Sequence, residues 1–180
     1  MRYFPKITGE RVYLSSVNPE DAPLFAKWGN DPEVAITLGA YPQMRSLASE
    51  RKTLEETGES WHDFAIVLKE NDELLGGARL MGIDRINRRA TLGLFIGEAE
   101  RRGKGYGAEA IGLVLSYGFD VLNLNNVMLY VHSDNAQGIA CYQKAGFKEI
   151  GRRREAIIRG ELFLDDVCMD ILAREYKEAL

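Results

Sequence analysis

A chain of 180 residues is long enough for one domain with a substantial core, so we expect a single domain over residues 1–180. Its formal net charge of −4 argues against general attraction to nucleic acids or anionic membranes, and no apolar run is long enough to span a bilayer. Cys141 and Cys168 lack metal-ligand spacing, and His62 and His132 match no zinc motif. We therefore expect free thiols, no bound metal and a cytoplasmic location.

The first third of the chain predicts one strand followed by two helices. The alternation in RVYLSSV predicts a strand over residues 11–17. The acids and proline of PED, followed by LFAKW, predict a helix over residues 19–28. A break at NDP, residues 30–32, and a loop at 39–42 separate it from a second helix predicted over residues 46–57.

The middle of the chain predicts an antiparallel meander of three β-rich runs, over residues 63–68, 73–81 and 90–96. Glycines weaken a strand unless a bulge or a close backbone approach requires them. Four glycines fall in or just after these strands, and we expect such a role for Gly76, Gly77, Gly93 and Gly97. For Gly93 and Gly97, room for a neighbouring side chain is an equal alternative to a bulge.

The second half predicts an alternation of helices and strands. A helix over residues 107–121 has one apolar stripe, made of Ile111, Val114, Leu115, Tyr117 and Val121. A strand over 127–132, a helix over 135–145 and a hairpin of two runs, 155–158 and 162–172, follow it. The predicted class is α+β, with a strand–helix–strand unit at the centre.

The stretch ERRGKGYGAEA, residues 100–110, places glycines and positive charge at the start of the central helix. Unpaired N–H groups and the helix dipole make such a start a site for phosphate. The P-loop pattern is excluded because Gly105 follows Lys104. The dinucleotide pattern G-x-G-x-x-[GA] fits Gly103, Gly105 and Ala108, but too little chain remains for the parallel strands of that fold.

A third pattern, [RQ]-x-x-G-x-[GA], fits Arg102, Gly105 and Gly107. Three further segments stand out: KWGNDPEV at 27–34, DNAQGIACYQKAGF at 134–147 and GELFLDDVCMDILAREY at 160–176. Together with the third pattern, and in this order along the chain, they resemble the GNAT superfamily of acyl-CoA N-acetyltransferases. The first and last are similar to its branch of ribosomal-protein acetyltransferases, the RimJ/RimL type.

The resemblance implies a mostly antiparallel mixed sheet in which the strands at 90–96 and 127–132 begin as parallel neighbours and splay apart. Acetyl-CoA is then the co-substrate, and its pantetheine amides bond to the strand edge that the splay exposes. The implied cofactor-binding residues are Leu94, Phe95, Ile96, Arg101, Arg102, Gly103, Lys104, Gly105, Tyr106, Gly107, Ala108, Asn135 and Tyr142.

The resemblance also implies direct attack of an amine on the thioester. The backbone N–H of Phe95 or Ile96 would stabilise the oxyanion, and the hydroxyl of Tyr142 would protonate the leaving thiolate. Cys141 is expected to be a buried structural thiol. Some peptide acetyltransferases carry a glutamate base where Tyr130 stands here, and Glu98 is a second position from which a base could act through water; the base is left open.

The expected acceptor is a protein or peptide α-amine, with a small-molecule amine (polyamine, amino sugar, amino acid or antibiotic) as the alternative. Residues of the first two helices, of the strand that follows them and of the final hairpin are candidates for its cleft: Trp28, Tyr41, Trp61, His62, Asp165 and Asp166. A module that binds acyl-CoA without turnover is the rival from another class. Edge strands also make a homodimer an expectation.

Overall fold

The computed structural model describes residues 3–39, 42–56 and 61–178. Strands in this part of the chain form one eight-stranded sheet in the order β1-β2-β3-β4-β5-β6-β8-β7. Their bounds are β1 Pro5–Thr8, β2 Val12–Ser15, β3 Trp61–Leu68, β4 Glu73–Asp84, β5 Arg89–Ile96, β6 Asn126–His132, β7 Lys148–Arg159 and β8 Leu162–Leu172.

Neighbouring strands pair antiparallel throughout the sheet except at β5 and β6. Those two strands run parallel and pair at three positions only, from Arg89 opposite Asn126 to Thr91 opposite Met128. Beyond Thr91 they diverge, which leaves one backbone edge of β5 without a strand partner. The predicted fold class, an α+β sheet that is mostly antiparallel with a splayed central parallel pair, is confirmed.

Helices cover both faces of the sheet. They are α1 Ala22–Asn30, α2 Pro32–Thr37, α3 Leu47–Glu55, α4 Tyr106–Ser116, α5 Ala136–Lys144 and α6 Ala173–Glu178. Alternate residues of β3 divide the core: Phe64 and Ile66 pack with the buried side of α4, whereas Ala65 and Val67 pack with Trp28 of α1. No helix in the described ranges is both long and apolar enough to cross a membrane.

Helix α2 was not predicted, because the sequence NDP at residues 30–32 is typical both of a helix break and of a helix start. Asp31 accepts a hydrogen bond from the N–H of Glu33, and Pro32 occupies the first helical turn, where its missing N–H costs nothing. The break between α1 and α2 is therefore only one residue long.

The central helix departs from its predicted stripe at its end. A π-helical segment, Tyr117–Val121, follows α4 and changes the angular spacing of side chains. Ile111, Val114, Leu115 and Tyr117 are buried as predicted, but Val121 is 57% exposed.

The bulge expected at Gly93 and Gly97 is absent: β4 and β5 pair without a break from Gly76 opposite Ile96 to Met81 opposite Thr91. A Cβ on Gly97 would lie 2.1 Å from the ring of Trp28, and one on Gly93 would lie 3.3 Å from Met81. Both glycines make room for side chains. The close backbone approach occurs at Gly76, where a Cβ would lie 2.1 Å from the carbonyl oxygen of Phe95.

Candidate active site between the splayed strands

A cavity of about 490 Å³ occupies the gap where β5 and β6 diverge. Its walls come from β5, the turn before α4, the first turns of α4, the end of β6, α5 and α2. Eleven of the thirteen predicted cofactor-binding residues line it: Leu94, Phe95, Ile96, Arg101, Arg102, Gly103, Gly105, Gly107, Ala108, Asn135 and Tyr142. The exceptions are Lys104 and Tyr106.

The turn before α4 exposes backbone N–H groups to this cavity. Gly103 and Gly105 have φ angles of 71° and 85°, a conformation in which a side chain is strained. The first N–H of α4 to bond back along the chain is that of Glu109, which donates to the carbonyl of Gly105 at 3.1 Å. The N–H groups of residues 106–108 precede it and have no partner within the helix, which makes them suitable donors to an anion.

The two arginines of the turn are already engaged. The guanidinium of Arg101 forms two hydrogen bonds with the carboxylate of Glu73. Arg102 donates to the carbonyls of Ile96 and Gly97 at 3.1 and 2.6 Å and to Glu33 at 2.8 Å. Arg102 therefore fixes the turn to the end of β5, in addition to bringing positive charge to the cavity.

Arg11 is a third arginine at the turn, and the sequence motifs did not reveal it. Its guanidinium donates to the carbonyl of Lys104 at 2.9 Å and lies 5.0 Å from the ring centre of Tyr106. Arg11 therefore contacts both the backbone of Lys104 and the ring of Tyr106. The side chain of Lys104 is exposed beside it.

The backbone of β5 alternates between its two neighbours. Gly97 donates its N–H to the carbonyl of Leu75 on β4 at 2.8 Å, so the backbone groups of Phe95 also face β4. Those of Leu94 and Ile96 face the gap, where the Ile96 carbonyl meets Arg102. Of the two oxyanion donors considered from the sequence, only the N–H of Ile96 points the right way. Phe95 instead packs its ring against Phe25 and Trp28.

Tyr142 of α5 lines the cavity with its ring edge-on to Phe147, the ring centres being 5.8 Å apart. Burial raises the pKa of its hydroxyl to about 12, so the group is a neutral proton donor at physiological pH. Burial also raises the pKa of the neighbouring Cys141 thiol, which disfavours the thiolate, but Cys141 is half-buried and lines the cavity and so is not the buried thiol expected from the sequence.

Asn135 begins α5 and lines the cavity at the same time. Its side-chain oxygen accepts the N–H of Gly138 at 2.8 Å, as expected for an N-cap. A Cβ on Gly138 would lie 2.7 Å from the Asn135 amide, so the glycine allows this cap to close. Capping thus leaves the Nδ2 group of Asn135 able to contact a ligand.

The candidate base Glu98 is bound to other side chains. Lys27 and the indole of Trp28 donate to its Oε1 at 2.6 and 2.9 Å. The hydrogen bond from Lys27, assisted by that from Trp28, lowers the pKa of Glu98. A carboxylate held in this way is a poor base, and its contacts join α1 to the end of β5.

The residues predicted for the acceptor cleft do not line the cavity in the described part of the chain. Trp28 is buried in the core, and the ring of His62 packs against Tyr117. Trp61 begins β3. Asp165 accepts the N–H of Glu155, Asp166 lies 4.0 Å from His132, and Tyr41 lies outside the described residues.

Helix α2 supplies lining residues that sequence reasoning missed, namely Glu33, Val34 and Thr37. The signal was present in the NDPEV segment, as an N-cap followed by proline and an acid. Gln137 and Lys144 on α5 also line the cavity, and they lie four and three residues from Cys141, which shares their helix face and lines the cavity too.

Comparison with known proteins identifies this architecture. A family model described as "Acetyltransferase (GNAT) domain" matches residues 11–148. The chain belongs to the GNAT acetyltransferase family. It is accordingly an acyltransferase enzyme of the N-acetyltransferase type with acetyl-CoA as co-substrate, as the sequence motifs implied.

Individual relatives extend the GNAT match over most of the chain. The "Uncharacterized N-acetyltransferase p20" of Bacillus licheniformis is 30% identical over 172 residues, which cover 93% of this chain and 96% of that protein. Spermidine N(1)-acetyltransferase of Escherichia coli K12 is 33% identical over 111 residues, 61% of this chain and 59% of that one. The crystal structure of spermidine N-acetyltransferase from Vibrio cholerae with CoA and spermine superposes with a TM-score of 0.86 at 23% identity, covering 94% and 99% of the two chains.

Proposed function

We propose that the enzyme transfers an acetyl group directly from acetyl-CoA to a primary amine while both substrates occupy the cavity between β5 and β6. One observation supports this most: the cavity brings together an anion-binding turn, an unpaired strand edge and a buried tyrosine hydroxyl. Each of these groups fits a different part of the donor, namely its pyrophosphate, its amides and its thioester sulfur.

The residues present fit the chemical groups of the donor. The N–H groups of residues 106–108 would hold the pyrophosphate, with Arg11, Arg101 and Arg102 supplying positive charge around it. The gap-facing backbone of Leu94 and Ile96 would pair with the pantetheine amides as an added strand would. Asn135 would contact the same arm through its free amide group.

The proposed chemistry needs one acid and one oxyanion donor. The neutral amine attacks the thioester carbon, and a C–N bond forms while the carbonyl oxygen gains negative charge that the N–H of Ile96 stabilises. The C–S bond then breaks, and the thiolate takes the proton of the Tyr142 hydroxyl. The ammonium product loses its extra proton to solvent, and the phenolate regains one from solvent.

A protein or peptide α-amine is our first candidate for the acceptor. Its pKa of about 7.7–8.0 leaves an appreciable neutral fraction near pH 7, and Glu98 is not available as a base. A polyamine is the second candidate, because the E. coli relative acts on spermidine. We further propose the RimJ/RimL-type branch, one domain over residues 1–180 and a cytoplasmic location. A homodimer through an edge strand of the sheet is also part of the proposal.

The experiment is a screen of amines with acetyl-CoA and detection of free thiol. Thiol release that requires an amine is the expected result. Tight CoA binding with no release across peptides, amino acids, polyamines and amino sugars would favour the non-catalytic acyl-CoA module instead. A thermal shift with CoA but not with NADH is expected in the same preparation, and the reverse pattern would favour a dinucleotide enzyme.

A further inference from the structure

A second, smaller cavity of about 190 Å³ lies beside the first. Helix α2 contributes Val34 and Thr37 to the large cavity and Ile36 to the small one. Strand β6 does the same, with Tyr130 and Val131 in the large cavity and the next residue, His132, in the small one. Helix α2 and strand β6 therefore each contribute residues to both cavities.

The small cavity is apolar apart from two side chains. The described residues that line it are Ile36, Gly39, Pro42, His132, Ala156, Ile157, Ile158 and Arg159. None of these carries a carboxyl group. The nearby acids are engaged elsewhere, Asp134 with Arg159 at 2.8 Å and Asp166 with His132 and Arg153.

Both polar side chains of this cavity present a buried atom without a partner. His132 is 8% exposed, its Nε2 lies 4.0 Å from Asp166, and its Nδ1 has no hydrogen bond. Arg159 donates through Nη1 to Asp134, while its Nη2 is buried and unpaired. Buried polar atoms in proteins nearly always have a hydrogen-bond partner, so these two atoms are available to a bound molecule.

We propose that this cavity binds the acceptor substrate through an oxygen next to its reactive amine, as found in an α-amino acid or a peptide N-terminus. The inference rests on the proposed function and narrows its substrate class. Arg159 Nη2 is a donor only, so its partner is an acceptor such as a carbonyl or carboxylate oxygen. Ile36, Ile157 and Ile158 form an apolar wall beside it for the first side chain of the substrate.

The same features of the small cavity argue against a polyamine as the acceptor substrate. A polyamine has several cationic nitrogens and no acceptor oxygen, so it would meet the guanidinium of Arg159 with no unpaired carboxylate to offset it. A volume of about 190 Å³ is also below the ~300–1,000 Å³ typical of whole ligand sites, which fits one end of an acceptor.

The experiment compares an amine that carries a neighbouring carbonyl oxygen with one that lacks it, and all rates are expressed per concentration of neutral amine because an α-amine and an alkylamine differ in pKa by about 2 units. Steady-state rates are measured with a leucyl dipeptide and with 3-methylbutylamine, which is leucine without its carboxyl group; spermidine is the third substrate. Charged hydrogen bonds are lost with the second amine, so kcat/KM is expected to fall about 10- to 100-fold. Arg159→Met is expected to raise the KM for the dipeptide by a similar factor and to leave 3-methylbutylamine turnover and the Kd for acetyl-CoA unchanged.

Two further variants separate recognition from folding. Arg154→Met removes an exposed arginine from the same strand outside the cavity and is expected to change neither substrate. Arg159→Lys keeps the charge near Asp134 without the second nitrogen and is expected to give an intermediate KM. Should Arg159→Met fail to fold, the lysine variant and the wild-type comparison still decide the matter.

A preference for spermidine or 3-methylbutylamine over the dipeptide would overturn this inference and leave the proposed function intact. Equal KM values for the dipeptide in the wild type and both Arg159 variants would overturn the inference as well. The absence of thiol release with every amine tested would overturn the proposed function and this inference with it.

Discussion

Burial gives the hydroxyl of Tyr142 the protonation state that an acid in this reaction needs. A phenol with a pKa of about 12 keeps its proton across the physiological range, yet it lies on the wall of a cavity where a thiolate would form. A histidine or carboxylic acid with its ordinary pKa would be partly or wholly ionised near pH 7. The hydroxyl of Tyr142 is therefore neutral before the reaction and carries a proton that it can donate.

Replacement of Tyr142 by phenylalanine tests this role because it removes one oxygen and keeps the ring against Phe147. We expect kcat to fall about 100- to 10,000-fold, the usual range for general acid catalysis. The Kd for acetyl-CoA should change little, since the hydroxyl acts late in the reaction. Single-turnover thiol release and calorimetric titration with acetyl-CoA measure the two quantities.

Tyr176→Phe is the matched control, since Tyr176 packs on Phe119 away from the cavity. It should leave kcat unchanged. Equal turnover of the wild type and Tyr142→Phe, under conditions where chemistry limits the rate, would exclude Tyr142 as the acid.

The pH dependence of kcat/KM follows from the same pKa. A raised phenol pKa means that the acid form persists below about pH 12, so Tyr142 produces no falling limb between pH 6 and 10. The rising limb belongs to the acceptor, with a midpoint near pH 8 for an α-amine and some 2 units higher for a lysine-type amine. A falling limb below pH 10 that disappears in Tyr142→Phe would contradict this assignment.

At the scale of the element, the turn before α4 works through its backbone. Gly105 has a φ of 85°, and a Cβ there would lie 3.0 Å from the Arg11 guanidinium. Gly105→Val should therefore strain the turn and displace Arg11, with CoA binding lost or weakened by at least about 10-fold. Isothermal titration with CoA measures the change.

Gly82→Val is the control for strain alone. Gly82 has a similar φ of 58°, and a Cβ there would have nothing within 4 Å. We expect that variant to lose stability and to keep the wild-type Kd for CoA. A wild-type Kd in Gly105→Val would mean that the turn has no role in binding.

Elements with local signals were predictable, and elements decided by distant contacts were not. The periodicity of α4 and the alternation of β3 to β6 are visible in the sequence because each buries one face. The first half of β7 was missed because KEIGRRRE is charged and exposed, as is common for an edge strand. Its pairing with β8 alone makes it a strand.

The residues of the candidate site also divide into those with a local sequence signal and those brought together by distant contacts. The turn and Tyr142 lie in contiguous motifs, so sequence was sufficient to bring them to one cavity. Arg11 was not predictable, because it reaches the turn from a residue 93 positions earlier than Lys104. The small cavity was not predictable for a similar reason: His132 and Arg159 come together only through the pairing of β6, β8 and β7.

At the scale of the whole molecule, Glu109 connects the start of the chain to the turn. Its carboxylate accepts the N–H groups of Arg11 and Val12 at 2.7 and 3.1 Å and the Arg11 guanidinium at 3.1 Å. Burial alone would raise the pKa of Glu109, but these donors outweigh it and lower the pKa below 4.5. The anchored Arg11 then holds the carbonyl of Lys104 in the turn.

Glu109→Gln should lower the free energy of unfolding by about 1–3 kcal/mol at pH 7, the usual contribution of hydrogen bonds to a charged group. Because the folded-state pKa is lowered, this stabilisation is present above pH 4.5 and is lost as the pH falls through the folded pKa. Urea unfolding of both proteins between pH 7 and 3.5 should thus show a difference that shrinks with acidification. Glu161→Gln, at an exposed turn, should match the wild type throughout. A difference that stays constant with pH would show that packing, and not the charge of Glu109, links β2 to the turn before α4.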